Sequence, residues 1–305
     1  MRRGVVLAAL AAAAIPLRAQ AQGATTARAS VLSTAPARPE PGGIVRLTLA
    51  EPRGDAARGM TGELAGEALH FVRGDSGRWR AIGAVPVDVA KSVTARVVVR
   101  LASGRVDTVR ARVVAAIVPP PTAEPLRVDT TFTALDSGAV ARVAGENARA
   151  REVGRRSHAT PRFWSEAFLE PRASAITGRF GGGRNFNGRV TSRHLGVDFK
   201  GVVGDTIRAA NRGVVALVDA FLLAGNVLYV DHGAGVVTGY FHLSRTLVAA
   251  GDTVARGQPI ALVGATGRVT GAHLHWSARY GSLTVNPLDL IALDRRWLAA
   301  SAGAH

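Results

Sequence analysis

Hydrophobic and polar residues alternate along several short stretches in the first half of the chain, as they do in β-strands with one buried face. The alternating stretches are residues 45–49, 68–72, 96–101 and 106–114. Turn sequences rich in glycine lie between them, at 41–43, 73–77 and 103–104. Short strands separated by regular turns predict a small β-sandwich accessory domain over residues 38–118. His70 is the only histidine of this region and is expected to be structural.

The second half of the chain shows short apolar runs between glycine-containing turns and little helical periodicity. The runs are residues 214–218, 226–230, 235–241 and 259–263. This pattern predicts an antiparallel β-sheet domain over residues 168–305. Three prolines at 119–121 mark a boundary, and residues 136–151 have helix-compatible spacing, so 119–167 is expected to be a linker with a helix. The predicted fold class is therefore mainly β, with a sandwich and a linker helix before the C-terminal sheet.

The N-terminus has the organisation of a secretory signal peptide. Arg2 and Arg3 precede the apolar stretch 4–17, and residues 19–21 form a small-x-small cleavage sequence. We therefore expect a signal peptide at 1–21, a flexible leader at 22–37, and a periplasmic or secreted protein. No later stretch approaches the roughly 18 apolar residues of a membrane span, so we expect no integral membrane segment after processing.

Composition limits the chemistry that the 305-residue chain can perform. It contains no cysteine, which excludes disulfides, a cysteine nucleophile and cysteine metal ligands, so a metal site must use His, Asp or Glu. The formal net charge is +16. Positive charge attracts polyanions, and for an exported protein an anionic wall polymer or membrane surface is a better candidate than nucleic acid. The alternative is an ordinary solvated basic surface.

Five of the eight histidines lie between positions 194 and 275. On a strand, His194 and Asp198 would share one face, while Leu195, Val197 and Phe199 would point together into a core. This spacing would place an imidazole beside a carboxylate. Taken alone, it also fits an ordinary His/Asp pair on the surface.

A second group is His273-Leu274-His275. On a strand the two histidines share a face and Leu274 is buried behind them, with Trp276 continuing the apolar side. The apolar run before His242 is expected to form a strand that ends at this residue. For His242 itself, the alternative is a lone histidine of the core. A catalytic zinc site uses three protein ligands and keeps one position open, so additional histidines could do proton transfer.

Residues 168–290 resemble the lysostaphin-type (LytM-like) zinc metallopeptidases, and the region before them resembles the β accessory portion of Gram-negative members. The matching segments occur in the order that the family shows. They are Phe180-Gly181 with Arg184 and Asn187, then 194–198, 213–215, 231–233, 240–244, 251–252, 257–258, 264–267 and 271–275.

The resemblance implies a C-terminal peptidase domain of the LytM/duplicated hybrid motif type at 168–305. It implies that His194, Asp198 and His275 bind one Zn²⁺ per chain and that His242 and His273 are catalytic. One of these two would act as general base, and the other would stabilise charge or protonate the leaving amine. The sequence leaves open which histidine has which role.

Several other polar residues and histidines lie outside this set. Arg184 and Asn187 are candidates for substrate binding, and a purely structural loop role is the alternative for both. His232 is expected to be structural, and His158 and the C-terminal His305 are expected to be exposed.

The family resemblance implies a metalloendopeptidase that hydrolyses peptide cross-links of peptidoglycan. In a Gram-negative cell the D-Ala–diaminopimelate bond is a better candidate than a glycine bridge. The alternative is a non-enzymatic wall-binding activator of another hydrolase. A lipoyl or biotin carrier is disfavoured because neither Lys91 nor Lys200 lies at a suitable hairpin. Protein partners and oligomeric state are left open.

Overall fold

The computed structural model describes residues 31–51, 54–74 and 77–293. The predicted signal peptide and His305 lie outside these residues. The predicted flexible leader extends too far, because Val31–Ala35 forms strand β1 and pairs along its whole length with the strand Ile44–Ala50. The fold is mainly β with antiparallel sheets, as predicted.

The first part of the chain is a sandwich of two antiparallel sheets. Its strands are β1 (Val31–Ala35), β2 (Ile44–Ala50), β3 (Ala57–Leu64), β4 (Glu67–Ala68), β5 (Val72–Arg73), β6 (Arg78–Ala84), β7 (Ser92–Leu101) and β8 (Val106–Val114). Over the described residues, one sheet has the order β1-β2-β6-β5 and the other β4-β3-β7-β8. The alternation of β2 buries Val45, Leu47 and Leu49 completely between the sheets.

The predicted single strand at 68–72 is wrong. Two short strands stand there, because the chain crosses between the sheets at this point: β4 pairs with β3, whereas β5 pairs with β6. Strand β6 shows no alternation, because both of its faces are covered. Ala81 packs into the sandwich core, while Ile82 and Ala84 belong to the apolar cluster of the C-terminal domain.

The predicted linker is built into the C-terminal domain. It contains β9 (Ala123–Leu126), a 3-10 turn (Thr130–Phe132) and α1 (Ser137–Ser157). Helix α1 begins where the Asp136 carboxylate accepts a hydrogen bond from the Ala139 N–H at 2.7 Å. It runs beyond the predicted end at 151 and packs on the C-terminal sheet. There the Glu146 carboxylate accepts the Leu222 N–H with both oxygens.

The C-terminal domain is organised around one large antiparallel sheet. Its elements are β10 (Ile176–Gly178), β11 (Gly183–Phe186), β12 (Val190–Arg193), β13 (Val197–Lys200), β14 (Thr206–Arg208), β15 (Gly213–Phe221), β16 (Gly225–Gly233), β17 (Val236–Thr246), β18 (Thr253–Val254), β19 (Pro259–Val263), β20 (His273–Tyr280), β21 (Leu283–Val285) and α2 (Leu288–Ile291). Among the described residues the main order is β10-β13-β20-β17-β16-β15-β18. Phe199, Tyr240 and Trp276 are fully buried in its core.

A small sheet connects the linker to this domain. Strand β9 pairs in parallel with β11, which pairs in antiparallel fashion with β12. None of the described helices is both long and apolar enough to cross a membrane.

The two domains also share a polar cluster, which consists of Glu67, His70, His158 and Ser282. His158 Nε2 lies 2.8 Å from a Glu67 oxygen, and its Nδ1 lies 2.9 Å from His70 Nε2. Glu67 also accepts the Ser282 N–H at 2.9 Å. The expectation that His158 is exposed is therefore wrong, because the helix end carries this side chain into the contact between the domains.

We expect Gly281→Ala to weaken this contact. Gly281 has a φ of +57°, and a Cβ there would collide with Glu67 and His158. The left-handed conformation costs an alanine about 1–2 kcal/mol, and breaking hydrogen bonds to a partly buried carboxylate adds about 1.5–3 kcal/mol. Denaturant unfolding of Gly281→Ala and Gly204→Ala measures the difference. Gly204 also has a positive φ but has open space around its Cβ position, so equal losses of stability would contradict this prediction.

Candidate metal centre

His194, Asp198 and His275 converge on one point of the C-terminal sheet. Asp198 in β13 stands opposite His275 in β20, and His194 precedes β13. Asp198 Oδ1 lies 3.0 Å from His194 Nε2 and 2.8 Å from His275 Nδ1, and the two nitrogens are 2.9 Å apart. The sequence motifs are far apart in the chain, so strand register brings the three residues together.

The local conformation at His194 differs from the prediction. Residues 194–196 are not part of a strand, and Leu195 is 41% exposed instead of pointing into the core. Val197 and Phe199 are fully buried, as predicted. Gly196 lies against the His275 ring, and a Cβ at this position would stand 2.5 Å from His275 Nε2. The chain can therefore turn over the ring only because this residue has no side chain.

The hydrogen bonds of the histidines fix which ring nitrogens carry protons. His194 Nδ1 lies 2.8 Å from the Arg179 carbonyl oxygen, which can only accept. Nδ1 therefore carries the proton, and Nε2 directs its lone pair toward Asp198 and His275. One ring nitrogen from each histidine and a carboxylate oxygen, all within hydrogen-bonding distance of one another, suit a shared cation. The three residues thus fit a metal ion.

The electrostatics of the cluster favour the ligating forms. Burial by itself raises the pKa of Asp198, but the hydrogen bonds and charges of His194 and His275 outweigh it and hold this pKa far below its usual range. Burial lowers the pKa of His275, and the neighbouring His194 and His273 lower it further, against the opposing effect of Asp198. An ionised carboxylate and a neutral imidazole are the forms that bind a metal.

His242 and His273 stand beside this cluster. Their ring centroids are 4.9 Å apart, and His273 Nε2 lies 3.7 Å from Asp198 Oδ1. His242 Nδ1 lies 2.8 Å from the Thr266 carbonyl, and His273 Nδ1 lies 2.9 Å from the Gly271 carbonyl. Both rings therefore carry the proton on Nδ1 when neutral and keep Nε2 as a proton acceptor. Burial has the largest effect on the pKa of His242, and the neighbouring histidines add to it. Together they lower this pKa to about 3.

The strand at His242 does not end as predicted. β17 continues to Thr246, and His242 has a φ of +61° within it. The pairing with β16 shifts register here, since Leu228 stands opposite Tyr240 but Asn226 stands opposite Leu243. An extra residue on one strand forms a bulge that can redirect a side chain. Here it accompanies the placement of the His242 ring next to His273.

The structure places the two candidate substrate-binding residues differently. Arg184 Nη2 donates to Asp198 Oδ2 at 2.8 Å, so Arg184 orients the carboxylate through the oxygen that faces away from the histidines. Asn187 does not line the cleft. Its side-chain amide accepts the Val128 N–H at 3.0 Å and donates to the Val128 carbonyl at 2.8 Å. This side chain therefore attaches the linker to the domain. That is a structural role, the alternative to substrate binding for Asn187.

A cleft of about 220 Å³ opens over the histidines. The metal-fitting residues, His242 and His273 all line it, and one wall is made by Leu126 of the linker together with Phe186 and Arg268. None of these three wall residues belongs to a motif that the sequence singles out. Arg268 follows the glycine-rich segment 264–267 directly, but that segment alone does not indicate where an arginine side chain would lie.

Comparison with known proteins agrees with this geometry. Residues 192–287 match the model of peptidase family M23. This segment is an M23 peptidase domain. The resemblance to lysostaphin-type peptidases drawn from the sequence is thereby confirmed, since the match spans the segment that holds the four cleft histidines and Asp198.

The M23 domain has curated relatives in Vibrio cholerae serotype O1. Peptidoglycan DD-endopeptidase ShyC is 34% identical over 159 residues, which are 52% of this chain and 34% of the relative. Peptidoglycan DD-endopeptidase ShyA is 41% identical over 102 residues, which are 32% of this chain and 24% of the relative. The matches thus span about a third or less of these relatives.

The similarity in structure extends beyond the M23 domain. A solved Pseudomonas aeruginosa protein, described as a candidate M23 peptidase, is 25% identical and covers 83% of this chain and 95% of its own, with a TM-score of 0.63. Because the aligned part is much longer than the M23 domain, the arrangement of sandwich, linker and M23 domain is shared with that protein.

Proposed function

We propose that this protein is a zinc-dependent endopeptidase that hydrolyses peptide cross-links of peptidoglycan. The convergence of His194 Nε2, Asp198 Oδ1 and His275 Nδ1 at 2.8–3.0 Å carries the proposal. The names of the Vibrio relatives support the substrate. Zinc is the metal that suits a site of two imidazoles and one carboxylate with a fourth position open to substrate or water.

The residues around the metal-fitting cluster have the properties that amide hydrolysis requires. A bound zinc ion would supply Lewis acidity and activate water. His242 and His273 each keep an unprotonated Nε2 at the cleft, so either can accept a proton during attack on the peptide carbonyl and return it to the leaving amine. Arg184 holds Asp198 in place from the other side. We propose catalytic roles for both histidines, with the roles of base and acid interchangeable on this geometry.

The predicted signal peptide supports action outside the cytoplasm, where peptidoglycan lies. Glycine-rich loops beside the cleft are compatible with the D-amino acids of wall peptides. We therefore propose a periplasmic or secreted hydrolase and take the D-Ala–diaminopimelate bond as its target.

The proposal is tested by incubating the purified protein with isolated sacculi and analysing the released fragments by mass spectrometry. We expect cross-linked peptides to disappear, a chelator to stop the reaction, and added Zn²⁺ to restore it. Metal analysis is expected to give one zinc per chain. A protein that binds sacculi, contains no zinc and cuts no bond would instead support the wall-binding activator.

A further inference from the structure

The cleft carries an excess of positive charge. Its walls include the guanidinium groups of Arg184, Arg193 and Arg268, whereas Asp198 is the only carboxylate among the described residues that line it. A bound divalent cation would raise the positive charge further. Electrostatic complementarity therefore favours a substrate segment that carries negative charge.

Two of these three arginines interact with other groups of the same chain. Arg184 is paired with Asp198, and Arg193 donates to the Val87 carbonyl of the sandwich at 3.0 Å. Arg268 differs, because no described carboxylate pairs with its guanidinium group. This group lies over the Phe186 ring at 3.9 Å from the centroid, and Phe186 is itself buried.

Stacking on Phe186 prepares Arg268 to bind a carboxylate. A guanidinium over an aromatic face keeps the N–H groups of its edge available for a bidentate hydrogen bond. The backbone is also held, because the Arg268 N–H donates to the Leu223 carbonyl at 2.8 Å. Since β20 begins at His273, only a short loop separates Arg268 from this histidine, for which a catalytic role is proposed above. Both residues line the same cleft.

On this basis, and resting on the proposed function, we propose that Arg268 binds a free carboxylate of the substrate peptide. The enzyme would then select wall peptides whose diaminopimelate or glutamate carboxylates are free over the same peptides with those groups amidated. Glycine bridges, which have no side-chain carboxylate, would be poor substrates.

The test compares two cross-linked peptide dimers that differ only in amidation of the diaminopimelate and glutamate carboxylates. For the unmodified enzyme we expect kcat/KM to be about 10- to 100-fold higher for the free carboxylates, as one charged hydrogen-bonded pair would give. Arg268→Gln is expected to bring this ratio close to 1, mainly through KM. Arg268→Lys should keep part of the preference, because it retains charge without the bidentate geometry.

Arg245→Gln is the matched control, since Arg245 is exposed and does not line the cleft. It should preserve the full preference. If Arg268→Gln hydrolyses both dimers with the ratio of the unmodified enzyme, the role of Arg268 is wrong while the proposed function stands.

If neither dimer is cut, calorimetry of the binding of the same dimers tests the carboxylate site at Arg268 separately from the proposed hydrolase function. A preference for free carboxylates that Arg268→Gln removes would support the carboxylate site even in a protein that lacks hydrolase activity. Equal binding of both dimers by the unmodified protein would overturn it.

Discussion

Replacement of any one of the three residues that fit a metal is expected to abolish sacculus hydrolysis. His194→Ala, Asp198→Ala and His275→Ala each remove one of three converging donor atoms. The remaining two bind the ion weakly, and the water-activating chemistry is lost with it, so we expect a fall in rate of about 1000-fold or more. Peptide release from sacculi and zinc content per chain are measured together on each variant.

Two glycines provide a control for this prediction that leaves every donor atom in place. Gly196→Ala would push a Cβ against the His275 ring and the Trp276 carbonyl, so it should impair zinc binding. Gly271→Ala lies close to His273 but has no atoms within 4 Å of its Cβ position, and it should behave like the unmodified protein. Normal hydrolysis by any of the three donor variants would contradict the assignment of metal ligands.

His242→Ala and His273→Ala are expected to retain zinc but to lose about 100- to 10,000-fold in turnover, the usual contribution of a positioned acid or base. Neither side chain belongs to the converging triangle, although His273 Nε2 lies 3.7 Å from Asp198 Oδ1 and the His242 and His275 ring centroids are 6.0 Å apart. The measurement is kcat on a cross-linked peptide dimer, with zinc content determined on the same preparations. The variant whose activity recovers at higher pH would be the one that lacks the base.

His70→Gln is the corresponding control, because His70 lies at the contact between the domains and does not line this cleft. It should retain both zinc and turnover. Loss of zinc from His242→Ala or His273→Ala would show that the altered histidine is a metal ligand and would reverse the assignment.

The sequence predicted those parts of the site that depend on short-range patterns. The alternation of His273, Leu274 and His275 is that of a strand, and β20 has this form, with Leu274 fully buried. The same alternation gives the wrong side for Leu195, because the strand begins at Val197 and not at His194. The Gly196 backbone instead passes over a ring that comes from a strand distant in sequence, which a local pattern does not indicate.

Long-range contacts account for the other differences. Nothing in the neighbourhood of Arg184 in the sequence shows that it will pair with Asp198, and Asn187 contacts Val128 only because β9 joins β11. The bulge at His242 likewise depends on how two strands register. The sandwich was predicted as a class of fold, whereas the crossing at β4 and β5 depends on how its two sheets are stacked.

The position of β9 shows that the structural unit around the cleft is larger than the segment that matches the family. The family match begins at residue 192, yet Leu126 supplies part of the cleft wall and Ile82 of the sandwich packs into the M23 domain core. A fragment cut at the start of the family match would lose part of the cleft wall and expose apolar side chains to water. The M23 segment alone, grafted onto another protein, is therefore expected not to form an intact cleft. The chain from β1 to α2, transplanted as a whole, is expected to form one.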